Sequence, residues 1–122
     1  MLFDTRYFWA LFASKDGDTT GRLRGLFDRS KPAYASSISV YEVYKLTLSS
    51  EGKVAADLRA ATIERDFDVV DVDTDIAREG ADIGHRLKVP MADALIMATA
   101  KRLRVACVTD DPHFTEVRRL WI

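Results

Sequence analysis

The strongest constraint on the fold is an alternation along the chain. Short apolar runs at 1–3, 33–38, 67–72, 104–108 and 117–122 are separated by longer stretches whose apolar residues recur at helical spacing. Strands joined through helices cannot pair as hairpins; they line up in parallel, with the helices covering the faces of the sheet. The expected fold class is therefore α/β, a short parallel sheet of four or five strands with helices on both faces. Residues 1–122 read as a single domain, without internal repeat, linker or low-complexity segment.

Local signals place the helices. Phe8, Leu11 and Phe12 predict a helix over 7–13. Asp16-Gly17-Asp18 is a break, and Thr19 or Thr20 can cap a helix to about residue 29, ended by Lys31-Pro32. Ser39-Val40-Tyr41-Glu42 has the spacing of a capping box, predicting a helix from Ser39 to about residue 49. Further helices are expected over 53–64, from a cap at Asp73 or Thr74 to 87, and over 91–103. The last is nearly all apolar, which suits a buried helix.

Charge and cysteine content narrow the function classes. The net charge of -1 excludes a strongly basic nucleic-acid coat. A lone cysteine, Cys107, excludes an internal disulfide and a Cys-based zinc site. Asp4 and Arg6 interrupt the only N-terminal apolar stretch, so no signal peptide is expected. No apolar run approaches the ~18 residues of a membrane span. The expected location is the cytoplasm, with no membrane partner. There are 14 Asp against 5 Glu and no Asn or Gln at all.

The positions of the acids carry the chemistry. Ligands of open α/β sheets bind beyond the carboxyl ends of the strands. Asp4 ends the first expected strand, and Thr109, Asp110 and Asp111 end the strand at 104–108. Glu42 and Asp93 fall in the first turns of helices. Four such carboxylates repel one another unless a cation joins them. Mg²⁺ or Mn²⁺ prefers oxygen ligands and can activate water for attack on a phosphodiester. Each acid also has a plainer reading: Glu42 as a capping residue, Asp93 near a helix N-terminus, Asp111 before Pro112 in a turn.

Four stretches in order resemble the PIN-domain ribonucleases, in particular the VapC toxins of VapBC toxin–antitoxin pairs. They are Phe3-Asp4-Thr5, Val40-Tyr41-Glu42-Val43, Met91-Ala92-Asp93-Ala94-Leu95-Ile96 and Thr109-Asp110-Asp111-Pro112-His113-Phe114. The resemblance implies a PIN-like three-layer sandwich and an acidic quartet of Asp4, Glu42, Asp93 and Asp111 around Mg²⁺ or Mn²⁺. It implies supporting hydroxyls at Thr5 and Thr109, endoribonuclease activity on tRNA or rRNA, a homodimer, and a VapB-like antitoxin. Two positions depart from the pattern. Arg6 can contact RNA phosphate or pair with an acid, and Asp110 stands as a fifth acid at the rim or in solvent. Arg22, Arg24, Arg29 and Lys45 are further cations that could meet RNA.

Other motifs dissolve on inspection. The Asp71–Asp75 run does not continue as a calcium loop, since Ile76 stands at the glycine position and Asp82 at the twelfth, where a glutamate is required. Gly21-Arg22-Leu23-Arg24-Gly25 lacks the Lys-Ser/Thr ending of a phosphate loop. His85 and His113 have no metal-ligand spacing to one another, although His113 sits beside the acidic loop, where it could touch substrate. Tyr7, Phe8, Trp9 and Phe12 fit core packing or a dimer interface better than base stacking. Competing readings are a PIN nuclease of RNA processing, a non-catalytic PIN binding module and, least of all, a phospho-acceptor receiver domain, which needs a Lys after a later strand that is missing here.

Overall fold

The computed structural model describes residues 1–121. The chain runs β1 (Leu2–Phe3), α1 (Thr5–Ala13), α2 (Gly17–Gly25), β2 (Tyr34–Ser36), α3 (Ser37–Glu51), α4 (Lys53–Asp66), β3 (Asp68–Val70), α5 (Thr74–Leu87), α6 (Met91–Leu103), β4 (Cys107–Val108) and β5 (Arg119–Leu120). The strands form one sheet in the order β3-β2-β1-β4-β5, with every neighbouring pair parallel. The α/β class and the five-stranded parallel sheet match the sequence expectation. The last predicted strand includes Ile122, which lies outside the described residues.

Strand alternation divides the core into two layers. Leu2 is in register with Tyr34 and Cys107, and these side chains pack with Ile76, Ile83, Ile96 and Met97 of α5 and α6. Phe3 is in register with Ala35 and Val108, and these face Tyr7, Phe8, Leu23, Val43 and Ile63. Each face therefore buries one apolar set against its own helices, and a shift by one residue would exchange the two sets. On the second face, Phe3, Tyr7, Phe8, Phe27 and Phe67 meet edge-to-face or tilted, with centroids between 4.7 and 6.3 Å apart. Tyr7 and Phe8 are core residues, as anticipated, whereas Trp9 and Phe12 are half-buried against the Arg59 guanidinium.

Element boundaries differ from the sequence reading for local reasons. Asp4 caps α1, accepting from the Thr5 amide, so the helix begins at Thr5 and not at residue 7. Asp16, not Thr19 or Thr20, caps α2, which ends at Gly25. Ser36 caps α3 by accepting from the Ile38 amide, three residues before the expected cap at Ser39. The capping box is thus absent, and Glu42 is released from any capping role. Asp73 caps α5 as expected. Arg104 closes α6 in the left-handed region, which shortens the expected 104–108 strand to Cys107–Val108. Cys107 is fully buried, and burial pushes its thiol up to about 12.

Helices α5 and α6 pack closely because Gly80 faces Leu95. A Cβ at Gly80 would lie 2.8 Å from Leu95 Cδ2 and 3.4 Å from its Cα. Gly80→Val is expected to force the helices apart and lower stability by about 2 kcal/mol, read as a reduced urea midpoint at unchanged slope.

Candidate active site

The sheet order places the site. The chain builds outward from β1 to β2 and β3, then returns to the other side of β1 with β4. The reversal falls between β1 and β4, and ligands of such sheets bind beyond the strand ends at that point. Asp4 leaves β1 there, and Thr109, Asp110 and Asp111 leave β4. A cleft of about 420 Å³ opens over these ends, lined by Asp4, Glu42, Asp93 and Asp111, with Trp9 and Trp121 in its walls.

Asp4 is the most constrained acid. Its Oδ1 accepts from the Thr5 amide at 2.7 Å and its Oδ2 from the Thr109 hydroxyl at 2.7 Å. The carboxyl is 1% exposed, and burial pushes its pKa up to about 6. Those two hydrogen bonds pull the other way, and repulsion from Asp93 and Asp111 reinforces the rise. Asp93 is also raised, first by burial and then by Asp111. Asp111 Oδ1 accepts from the His113 amide at 2.9 Å, and the Asp111 amide donates to Thr109 Oγ1 at 3.0 Å. Thr109 thereby ties Asp4 to Asp111.

Glu42 reaches the same cleft from the first half of α3. Its Oε1 accepts from the Thr5 hydroxyl at 2.7 Å, and Ser39 Oγ lies 2.9 Å from the same hydroxyl. A carboxylate can only accept, so the single Thr5 proton points to Glu42. Both threonines singled out in the sequence therefore hold acids in place.

Arg6 and Asp110 take a different role. Arg6 Nε donates to Asp110 Oδ1 at the rim, across 104 residues of chain. That hydrogen bond holds the Asp110 carboxyl below its usual range. Among the described residues no Lys or Arg forms an ion pair with Asp4, Glu42, Asp93 or Asp111. Arg24 and Arg29 line a separate cleft with Phe27 and Phe67, and Lys45 lies over the Tyr41 ring.

His113 is the site residue that sequence spacing missed. Its Nδ1 lies 3.1 Å from both Asp93 Oδ2 and Asp111 Oδ1. Asp93, Asp111 and His113 are the one set of potential ligands, among the described residues, whose donor atoms all lie within 4.8 Å of one another. Asp4 and Glu42 line the cleft outside that tight set. The only sequence signal for His113 was its place two residues after Asp111.

The donors fit a hard divalent cation. Two of the carboxyls have raised pKa values, all four line one cleft, and the Arg6 guanidinium at its rim is engaged with Asp110. A dication relieves the repulsion that a monovalent side chain leaves in place.

The sequence matches the PIN-domain family model over residues 1–120. The chain belongs to the PIN-domain family. No curated protein matches it in sequence. The fold of this PIN domain is shared with VapBC2 from Rickettsia felis bound to a promoter DNA fragment, at 14% identity, TM-score 0.79, and coverage of 99% of this chain and 97% of that one. It is shared with Mycobacterium tuberculosis VapC20, a sarcin-ricin loop cleaving toxin, at 21% identity, TM-score 0.78, and coverage of 94% and 92%. A toxin–antitoxin complex from Klebsiella pneumoniae is similar at 22% identity, TM-score 0.72, and coverage of 93% and 89%. The PIN-like sandwich expected from the motifs is thus the fold observed. Among the described residues no helix is long and apolar enough to cross a membrane.

Proposed function

We propose that this PIN domain is a Mg²⁺- or Mn²⁺-dependent endoribonuclease and the toxin of a toxin–antitoxin pair. The observation that carries the reading is the convergence of Asp4, Glu42, Asp93 and Asp111 in one cleft at the switch point of the sheet. Toxin–antitoxin complexes among its structural neighbours, and a sarcin-ricin loop cleaving toxin among them, support the same class.

Asp93 and Asp111, with Asp4 and Glu42 beside them, would hold the ion. When bound, the ion lowers the pKa of a coordinated water and offsets charge on the phosphodiester. The chain itself supplies orientation. Thr109 and the Thr5 amide fix both oxygens of Asp4, and the Thr5 hydroxyl holds Glu42. Preset acids of this kind need not reorganise when charge develops. The Arg6–Asp110 pair at the rim keeps a guanidinium within reach of a phosphate backbone without occupying the acids.

The substrate class is structured cellular RNA, tRNA or rRNA, cut in single-stranded segments. The partners are a VapB-like antitoxin and a second copy of the chain in a homodimer. An Arg or Lys from the antitoxin entering the cleft would block the acids by charge-assisted hydrogen bonds. End-labelled single-stranded RNA is expected to be cut internally with Mg²⁺ or Mn²⁺ and left intact in excess EDTA. Equal cleavage in EDTA, or none with either ion, overturns the proposal.

A further inference from the structure

The tightest donor set in the cleft contains an imidazole as well as carboxylates. His113 Nδ1 stands 3.1 Å from Asp93 Oδ2 and 3.1 Å from Asp111 Oδ1. Two readings give these distances. In one, a single Nδ1–H is shared between two acids. In the other, the three atoms are ligands of one ion. An ion with bonds of about 2.1–2.2 Å separates ligands at right angles by about 3 Å. The observed spacing matches that edge from Nδ1 to each of the two acids.

The chain around His113 is held in place. The His113 amide donates to Asp111 Oδ1 at 2.9 Å, and its carbonyl accepts from the Thr115 amide at 2.9 Å. Pro112 precedes it and Phe114, fully buried, anchors the chain immediately after it. The loop is held again by Glu116, which accepts from Arg86 on α5 and Lys101 on α6. A donor restrained on both sides loses little freedom on taking an ion.

We propose that His113 is a nitrogen ligand of the ion held by Asp93 and Asp111, and that it biases the site towards first-row transition ions over Mg²⁺. Imidazole is a poor ligand for Mg²⁺, which keeps oxygen donors and water; among first-row ions it binds Mn²⁺ least tightly and the later ions better, and even Mn²⁺ accepts it more readily than Mg²⁺ does. The proposal rests on the reading of the cleft as a divalent-metal site and adds the ligand that sets its selectivity.

The test uses the full chain with Mn²⁺ or Mg²⁺ alone, without RNA. Titration calorimetry is expected to show His113→Ala losing Mn²⁺ affinity by about tenfold or more, the scale on which ligand-shell changes act, with Mg²⁺ affinity changing far less. Pulsed electron paramagnetic resonance of the Mn²⁺-loaded wild type is expected to show the nitrogen coupling of a bound imidazole. This second readout does not depend on how the variant folds. Mn²⁺ binding without that coupling, or an alanine variant that binds Mn²⁺ as tightly or more tightly, overturns the role of His113 and leaves the metal site standing. Failure of the wild type to bind either ion overturns both.

Discussion

Asp93→Asn is expected to lower RNA cleavage by about a thousandfold or more while the protein stays folded. Asp93 opens α6, and its Oδ2 lies within the tight donor set at the centre of the cleft. Replacing a carboxylate by an amide keeps the size and one acceptor but removes a charge from the ion's surroundings. A thousandfold corresponds to about 4 kcal/mol of lost transition-state stabilisation, a reasonable share of what a bound ion supplies. The folded state loses nothing comparable. The Asp93 carboxyl is held above its usual pKa by burial and by Asp111, so in the metal-free protein its charge opposes folding. Cleavage assays on labelled RNA and thermal melts in EDTA therefore move in opposite directions, or the melt does not move. A variant that cleaves within tenfold of the wild type removes Asp93 from the site. One that is inactive and partly unfolded removes the argument that the loss is chemical.

Much of this arrangement was legible in the sequence, and the gaps have physical causes. Asp4 and Asp111 could be read because each follows a short apolar run, and strand ends of a parallel sheet share one edge. Asp93 could be read because Pro90 sets the start of α6. Glu42 carries in the sequence a competing capping role that the fold does not use. Ser36 and Ser39 are equally good caps by residue type. The β2–β3 ladder extends through Ser36, where the chain turns into α3, and this decides between them. The Arg6–Asp110 pair and the Thr109–Asp4 bond join residues more than a hundred positions apart. Both exist only because β1 and β4 are neighbours, and no local pattern carries that. Spacing to His85 gives no sign that His113 could be a ligand, because its partners are two acids, one of them in its own turn.

Asp4→Asn is expected to reverse the usual order of stability between a wild-type protein and its site variant, and pH is the variable that shows it. Burial holds the Asp4 pKa at about 6 in the folded, metal-free protein, well above the usual carboxylate range. The folded state therefore holds this proton more tightly than the unfolded chain. Stability contributed by the protonated form is complete below about pH 4 and is lost as pH rises through 6. That rise corresponds to about 3 kcal/mol. Glu116 has the opposite sign, lowered to about 2 by Arg86 and Lys101, but it acts at lower pH and on a well-solvated carboxyl. The two effects occupy separate windows. Urea unfolding in EDTA is thus expected to show the wild type losing stability between pH 4.5 and about 7, with the asparagine variant losing less, because the raised Asp93 carboxyl still titrates, and more stable at the upper end. Parallel curves for the two proteins would refute the assignment of the slope to Asp4. Added Mn²⁺ should restore the wild type at neutral pH by binding the ionised carboxylates, and should restore the variant less, because ligand binding stabilises the folded state by RT ln(1 + [L]/Kd), which falls as the affinity falls. Asp4 is then a residue whose charge costs the empty protein stability and is retained for the ion it helps to hold, the trade between stability and activity expected of a site built from buried like charges.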